Sequence, residues 1–254
     1  MGIPFLMDAF DQLAAGNFKA AARMYQRKLG ANPNAVGSMD GLAKAYMGLG
    51  NYQDALPLLQ RVHECEKAEI KDHPGQQLQM ACAYWCLEDR SHALELVRGL
   101  CNGVIDQTIG MAPDQAGGAT YGLILHYMAI SNGDTDNYDL ALRYLEKTNK
   151  KYEKRPELYD APRQTVRQIL GKANFEEAYQ EAAGPLSFSD LKRSESSIKG
   201  ALGVALFHDG VLRRVQDDEA GCAVRMKEVS DLGYQTDPFR WYLARHEVSG
   251  LGFR

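Results

Sequence analysis

The sequence feature that most constrains the fold is an internal repeat near the start of the chain. The segment Ala15–Tyr25 (AGNFKAAARMY) recurs as Leu49–Leu59 (LGNYQDALPLL), with an offset of 34 residues. Five matched positions keep this offset: Gly16 with Gly50, Asn17 with Asn51, Phe18 with Tyr52, Ala21 with Ala55, and Tyr25 with Leu59. This period is typical of helix–turn–helix repeats, which stack because one helix pair cannot cover its own apolar face.

Each matched residue type has a physical role in such a pair. Glycine and asparagine tolerate the left-handed conformation that ends one helix and turns the chain into the next. We expect the aromatic residue that follows to pack on the preceding helix, and the alanine to lie where two helices approach most closely. Pro33 lies twelve residues after Ala21, at the position where a tetratricopeptide repeat closes.

Further copies of the repeat are looser. Ala81 and Asp89 lie 38 residues after Ala43 and Asn51, with the four extra residues in the charged stretch 63–73. Later copies are predicted around Tyr127 and Ala141, around Asn174, Phe175 and Ala178, and over residues 196–229 with Cys222 at the small position. The sequence therefore predicts an all-α, tetratricopeptide-like right-handed superhelical solenoid of about six helix pairs. A generic helical bundle is the alternative.

We predict one domain over residues 1–254. It would comprise regular repeats over 1–105, divergent repeats over 106–184 and C-terminal capping helices over 185–254. Charged residues make up 24% of the chain and its net charge is −4, which is typical of a soluble protein and gives no basic footprint for nucleic acid. No apolar run approaches the roughly 18 residues that span a bilayer. The first ten residues lack a basic leader, so we expect a cytoplasmic protein without a membrane partner.

A search for chemistry in the sequence finds no catalytic motif. No nucleophile elbow, Walker loop, HExxH or GxGxxG is present. The five cysteines lack CxxC spacing, and the stretch His63–Glu66 (HECE) is more simply the polar flank of a helix than a metal cluster. We therefore predict no enzyme, no cofactor and no metal.

The first helix of each pair in such repeats lines a groove that binds protein partners. Aligning the copies places the following residues there: Asp40, Lys44 and Met47; Leu78, Cys82 and Trp85; Tyr121, Leu125 and Met128; Arg163 and Arg167. Tryptophan and arginine are frequent binding hot spots. Trp85 packing against a neighbouring helix, and solvated arginines, are the alternatives. With Lys44 as the only cation in the first three pairs, the groove lacks the clustered Lys, Asn and Arg that hold an acidic C-terminal tail.

Three segments outside the repeat signature add a resemblance: Pro74–Asp89 (PGQQLQMACAYWCLED), Asp114–Ile130 (DQAGGATYGLILHYMAI) and Trp241–Val248 (WYLARHEV). Together they resemble the tetratricopeptide-like immunity proteins encoded beside polymorphic secreted toxins of bacteria. The resemblance implies a cytoplasmic protein that binds and neutralises a cognate toxin domain. A cytoplasmic adaptor or secretion chaperone that binds a peptide or protein is the second hypothesis. The glycines of Asp114–Gly118 and the aromatic pair Trp241–Tyr242 also fit purely structural roles.

Overall fold

In the computed structural model, the described residues are 8–69, 74–109, 118–154, 162–184, 194–234 and 238–250. Within these ranges the chain forms thirteen α-helices and no strand. The helices are α1 (Ala9–Ala14), α2 (Phe18–Ala31), α3 (Val36–Leu49), α4 (Tyr52–Glu69), α5 (Pro74–Cys86), α6 (Arg90–Ile105), α7 (Thr120–Asn132), α8 (Thr135–Lys154), α9 (Arg163–Ile169), α10 (Phe175–Ala183), α11 (Glu195–Val215), α12 (Glu219–Leu232) and α13 (Pro238–Gly250). No helix of the described residues is both long and apolar enough to cross a membrane.

The chain divides into two compact units, which we call the N-terminal unit (Met1–Asp89) and the C-terminal unit (Arg90–Arg254). The boundary falls inside the region 1–105 that the sequence assigns to regular repeats. The single-domain organisation stays a prediction. The irregular sequence of Asp106–Gly118 also predicts an ordered loop, of which residues 110–117 lie outside the described ranges. The sequence predicts that Glu157–Pro162 opens another helix; this stretch lies largely outside the described ranges, and α9 begins at Arg163.

Successive helices pack on each other in the N-terminal unit, from α1 to α5. The repeat alanines Ala21 and Ala55 are fully buried, as close helix packing requires. Glycines allow closer packing between these helices. A Cβ at Gly41 would overlap the ring of Tyr25, and a Cβ at Gly48 would overlap the ring of Phe18. The sequence predicts that the Phe18 ring packs on the preceding helix. The structure places this ring against α3, which follows it.

The turns between helices follow the predicted left-handed cap. Gly16 and Gly50 have φ angles of 76° and 79°. After α3, the amide of Gly50 donates to the Met47 carbonyl at 3.0 Å and that of Asn51 to the Tyr46 carbonyl at 2.9 Å. These two bonds satisfy carbonyls that the helix end would leave without donors. The glycine–asparagine pair of the repeat is thereby confirmed as a helix C-cap.

The C-terminal unit is organised around α11. This helix contacts α7, α9, α10, α12 and α13, and its residues Gly203–Val211 are buried. Polar N-caps start the helices on either side of it: Asn174 forms a capping box with Glu177, and the carboxylate of Asp218 accepts from the amide of Gly221 at 2.8 Å. Glycine again permits close packing, because a Cβ at Gly122 in α7 would overlap the Tyr144 ring of α8.

Candidate partner-binding surface

The uncharged side chains of the predicted binding set are buried. Their exposed fractions are 0–1% for Met47, Leu78, Cys82, Trp85, Leu125 and Met128, and 8% for Tyr121. A side chain without exposed area cannot contact a partner that docks on this conformation. The complete burial of Trp85 favours the packing alternative for this residue. Partner contact by this part of the set stays a prediction.

The charged members of the set are accessible. Lys44 and Asp40 lie one turn apart on α3, and their side chains are 32% and 22% exposed. Lys44 Nζ lies 2.5 Å from Asp40 Oδ2. The second carboxylate oxygen of Asp40 accepts from Gln76 Nε2 of α5 at 3.1 Å. We call this trio the α3–α5 polar face; it brings both signs of charge and an amide together at the surface of the N-terminal unit.

The two arginines of the set are half-exposed on α9 in the C-terminal unit. Arg163 Nε donates to Glu181 Oε1 at 3.1 Å, and the other Glu181 oxygen accepts from the Gln164 amide at 2.6 Å. Arg167 Nη2 lies 3.4 Å from the Lys172 carbonyl, at the end of the same helix. Both side chains therefore help to hold α9 in place. Whether they also contact a partner stays a prediction.

A buried cluster of two histidines and one arginine in the C-terminal unit was not predicted from the sequence. It contains His126 of α7, His208 of α11 and Arg240 of α13, each at most 1% exposed. Arg240 Nε donates to His208 Nε2 at 3.1 Å. Burial lowers the pKa of His126 to about 4. Burial also lowers the pKa of His208, with further effects from Arg240 and His126. Both imidazoles are therefore neutral near pH 7. Among the described residues, no three His, Cys, Asp or Glu side chains come together as a metal site.

The segment Trp241–Val248, which contributed to the resemblance, lies in α13. Trp241 is 6% exposed and its indole nitrogen donates to the Ser230 carbonyl of α12 at 3.0 Å. Glu247 accepts from Arg214 Nη2 at 2.9 Å and from the Tyr127 hydroxyl at 2.7 Å. Burial acts to raise the pKa of Glu247, but the bonds and charge of Arg214 outweigh it and the pKa is lowered. These contacts favour the structural role for this segment.

An open groove of about 600 Å³ lies in the C-terminal unit along α6 and the turn between α7 and α8. We call it the α6 groove, and its lining residues are Ser91, Leu94, Glu95, Arg98, Gly99, Asn102, Asn132, Asp134 and Asn137. None of them belongs to the predicted binding set. The helical spacing of Ser91, Glu95, Arg98 and Asn102 signals a polar stripe on one face of α6. That pattern alone does not distinguish a groove from an ordinary solvated face.

Comparisons with known proteins agree with the repeat. Residues 12–70 match the tetratricopeptide repeat family model. No curated protein matches the sequence. A crystal structure of a tetratricopeptide repeat protein from Parabacteroides merdae ATCC 43184 is similar, with a TM-score of 0.48 and 15% identity, over 95% of this chain and 80% of that one. The crystal structure of MamA gives a TM-score of 0.43 and 16% identity, over 90% of this chain and 95% of that one. The all-α, tetratricopeptide-like fold class predicted from the repeat is confirmed.

Proposed function

We propose that this chain is a non-enzymatic protein-binding scaffold of the cytoplasm, and that it acts as an immunity protein that binds and neutralises a cognate toxin domain. Tetratricopeptide-like helix pairs serve as binding scaffolds rather than as frames for catalysis. The observation that carries the proposal is the α3–α5 polar face, where Asp40 and Lys44 remain accessible within the region that matches the repeat family. The resemblance of the three segments supplies the class of partner.

The energetics of this polar face suit a binding surface. An exposed ion pair one helical turn apart stabilises its own protein by only about 0.3–0.5 kcal/mol. Breaking the ion pair between Asp40 and Lys44 therefore costs little when each side chain binds a charge on a partner instead. Complementary charges at an interface accelerate association and determine which partner is accepted. The net charge of −4 adds a weak general attraction to a basic toxin domain.

The proposal is tested by co-expression with the product of the neighbouring gene. The informative variant exchanges the two charges, Asp40→Lys with Lys44→Asp, because it keeps an ion pair on α3; since it also removes the hydrogen bond from Gln76 to Asp40, circular dichroism checks that the helices are intact. A matched control exchanges Lys227 and Asp231 of α12, whose ion pair has the same spacing at 2.7 Å and is 55% and 63% exposed. We expect protection of the cells to be lost with the first exchange and retained with the second.

The outcomes separate the hypotheses. A neighbouring protein that is harmless alone, or lethal in spite of this chain, refutes the immunity function. A harmless neighbour that nevertheless binds the chain supports the adaptor or secretion chaperone. If both charge exchanges protect as well as the unmodified protein, the α3–α5 polar face is not the binding surface.

A further inference from the structure

The α6 groove combines three features that its own unit does not explain. The first is its floor. Gly99 lies in the middle of α6 and is exposed. A Cβ built on it would meet no atom within 4 Å, whereas at Gly103 of the same helix it would overlap the Ile109 side chain. Glycine weakens a helix interior relative to alanine. Packing among the described residues does not require Gly99, so its bare backbone leaves open space beside α6 that a partner can enter.

The second feature is a set of polar side chains that form no hydrogen bond with other described residues. Among the described residues, no hydrogen bond or ion pair involves the side chains of Ser91, Glu95, Asn102 and Asn132, and Arg98 acts on Asp134 through its charge alone. In contrast, the wall of the groove is fixed. Asp134 accepts from the Asn137 amide at 3.0 Å and from Asn137 Nδ2 at 2.7 Å. A rigid wall thus stands beside a stripe of available donors and acceptors.

The third feature is the chemistry and size of the lining, which define the occupant. Among the described residues that line the groove, Leu94 is the only large apolar side chain, whereas pockets for small molecules are lined mainly by apolar groups. Arg98 lines the groove together with two carboxylates, Glu95 and Asp134, and this balance of charge disfavours a phosphate backbone. The stripe from Ser91 to Asn102 is about 17 Å long at the rise of an α-helix. An extended chain covers that length with about five residues.

We propose that the α6 groove binds an extended polypeptide segment of a protein partner, with its backbone lying over Gly99. Asparagine amides both donate and accept hydrogen bonds, as peptide groups do. Asn102 and Asn132 would therefore pair with the backbone of the segment, while Glu95 and Arg98 contact its charged side chains. Gly99 allows the close approach that a larger residue would block. This surface belongs to the C-terminal unit and is distinct from the α3–α5 polar face.

The test uses a phage library of random peptides selected against the immobilised full chain. Selected peptides are synthesised, labelled and titrated against purified variants by fluorescence polarisation. Gly99→Gln fills the floor of the groove, and Asn102→Leu removes an amide at similar volume. Gly30→Gln is the matched control, because Gly30 is also exposed on a helix, meets no atom within 4 Å of a built Cβ, and lies outside the groove.

We expect Gly99→Gln and Asn102→Leu each to weaken peptide binding by at least about tenfold, with the control unchanged. N-methylation of the central peptide groups of the ligand should cause a similar loss, because it removes the backbone donors. Circular dichroism of each variant establishes that the helices are intact. Failure to select a binding peptide, equal binding by Gly99→Gln and the control, or indifference to N-methylation overturns the proposal.

Discussion

Two buried histidines in the C-terminal unit lead to a prediction about its stability in acid. His126 faces the ring of Tyr138 on α8, at 5.5 Å between centroids, and that of His208 on α11, at 6.5 Å. His208 in turn accepts from Arg240 of α13. Within the part of the chain that the structure describes, neither ring nitrogen of His126 has a hydrogen-bond partner. A proton on His208 would therefore place a second buried cation beside the guanidinium, and a proton on His126 would place a cation without a hydrogen-bond partner in the core.

The sign and size of the effect follow from the pKa values. The pKa of His126 falls from an ordinary 6.5 to about 4 on folding. The unfolded chain thus binds the proton first, and the folded state loses stability as the pH falls between these two values. The difference corresponds to about 3 kcal/mol. The lowered pKa of His208 likewise makes the folded state less stable as the pH falls. Glu247, whose pKa is lowered, also makes the folded state less stable in acid, but only below the ordinary glutamate pKa of about 4.3.

The assay is urea unfolding between about pH 7 and pH 4.5, monitored by circular dichroism. Native-state hydrogen exchange of peptides from α7 and α11 assigns the loss to the C-terminal unit. His126→Leu removes the titrating group at similar volume, so it should leave stability near pH 7 unchanged or higher and flatten the acid dependence. His208→Leu is the contrasting variant, because it removes an acceptor from Arg240 and should cost about 1.5–3 kcal/mol near pH 7. An unchanged acid dependence in His126→Leu would refute the reasoning.

The remaining predictions concern packing and caps, and each is measured as a change in the free energy of unfolding. Gly41→Ala should cost about 1–3 kcal/mol by overlap with the Tyr25 ring, whereas Gly30→Ala, with open space around it, should gain up to about 1 kcal/mol; equal effects would contradict the packing of α2 on α3. Ala55→Leu should cost about 1–3 kcal/mol because it separates paired helices, and no loss would mean that the repeat register is wrong. Gln107→Gly should stabilise by about 1 kcal/mol, because Gln107 has a φ of 62°; a loss would show that its side chain matters more than its backbone.

Much of the local fold was predictable because helix caps depend on backbone geometry. The alignment that matched Asp89 to Asn51 also placed Glu88 opposite Gly50. Glu88 indeed has a φ of 62°, and the same pair of amide–carbonyl bonds closes its turn. Asp217, in the turn between α11 and α12, has the same φ, and the amides of Asp217 and Asp218 donate to the carbonyls of Arg214 and Arg213. The turn therefore persists even where glycine has been replaced, and a search for glycine alone would miss it.

The exposure of the predicted binding residues was less predictable, for a geometric reason. Helical periodicity shows that Asp40, Lys44 and Met47 share one face of α3. It does not show how far the neighbouring helices cover that face. The first two residues remain accessible and Met47 is 1% exposed. Trp85 is likewise buried completely. The spacing between neighbouring helices decides which residues of a helix face reach solvent. The sequence of a single repeat does not encode this spacing.

The C-terminal unit departs from the repeat because polar groups share its core with the apolar side chains. Asp209 of α11 is 6% exposed and accepts from Arg213 and Arg225, each at 2.8 Å. Arg240 and His208 are paired deeper in the same helix cluster. Buried charges tolerate few alternative arrangements, since each must keep its partner. A pattern search that follows alanine, glycine and aromatic positions is insensitive to such pairs. The repeat signature therefore becomes weaker around α11, even though successive helices still pack on each other. The buried polar pairs that distinguish this unit are visible in its structure and not in the repeat pattern.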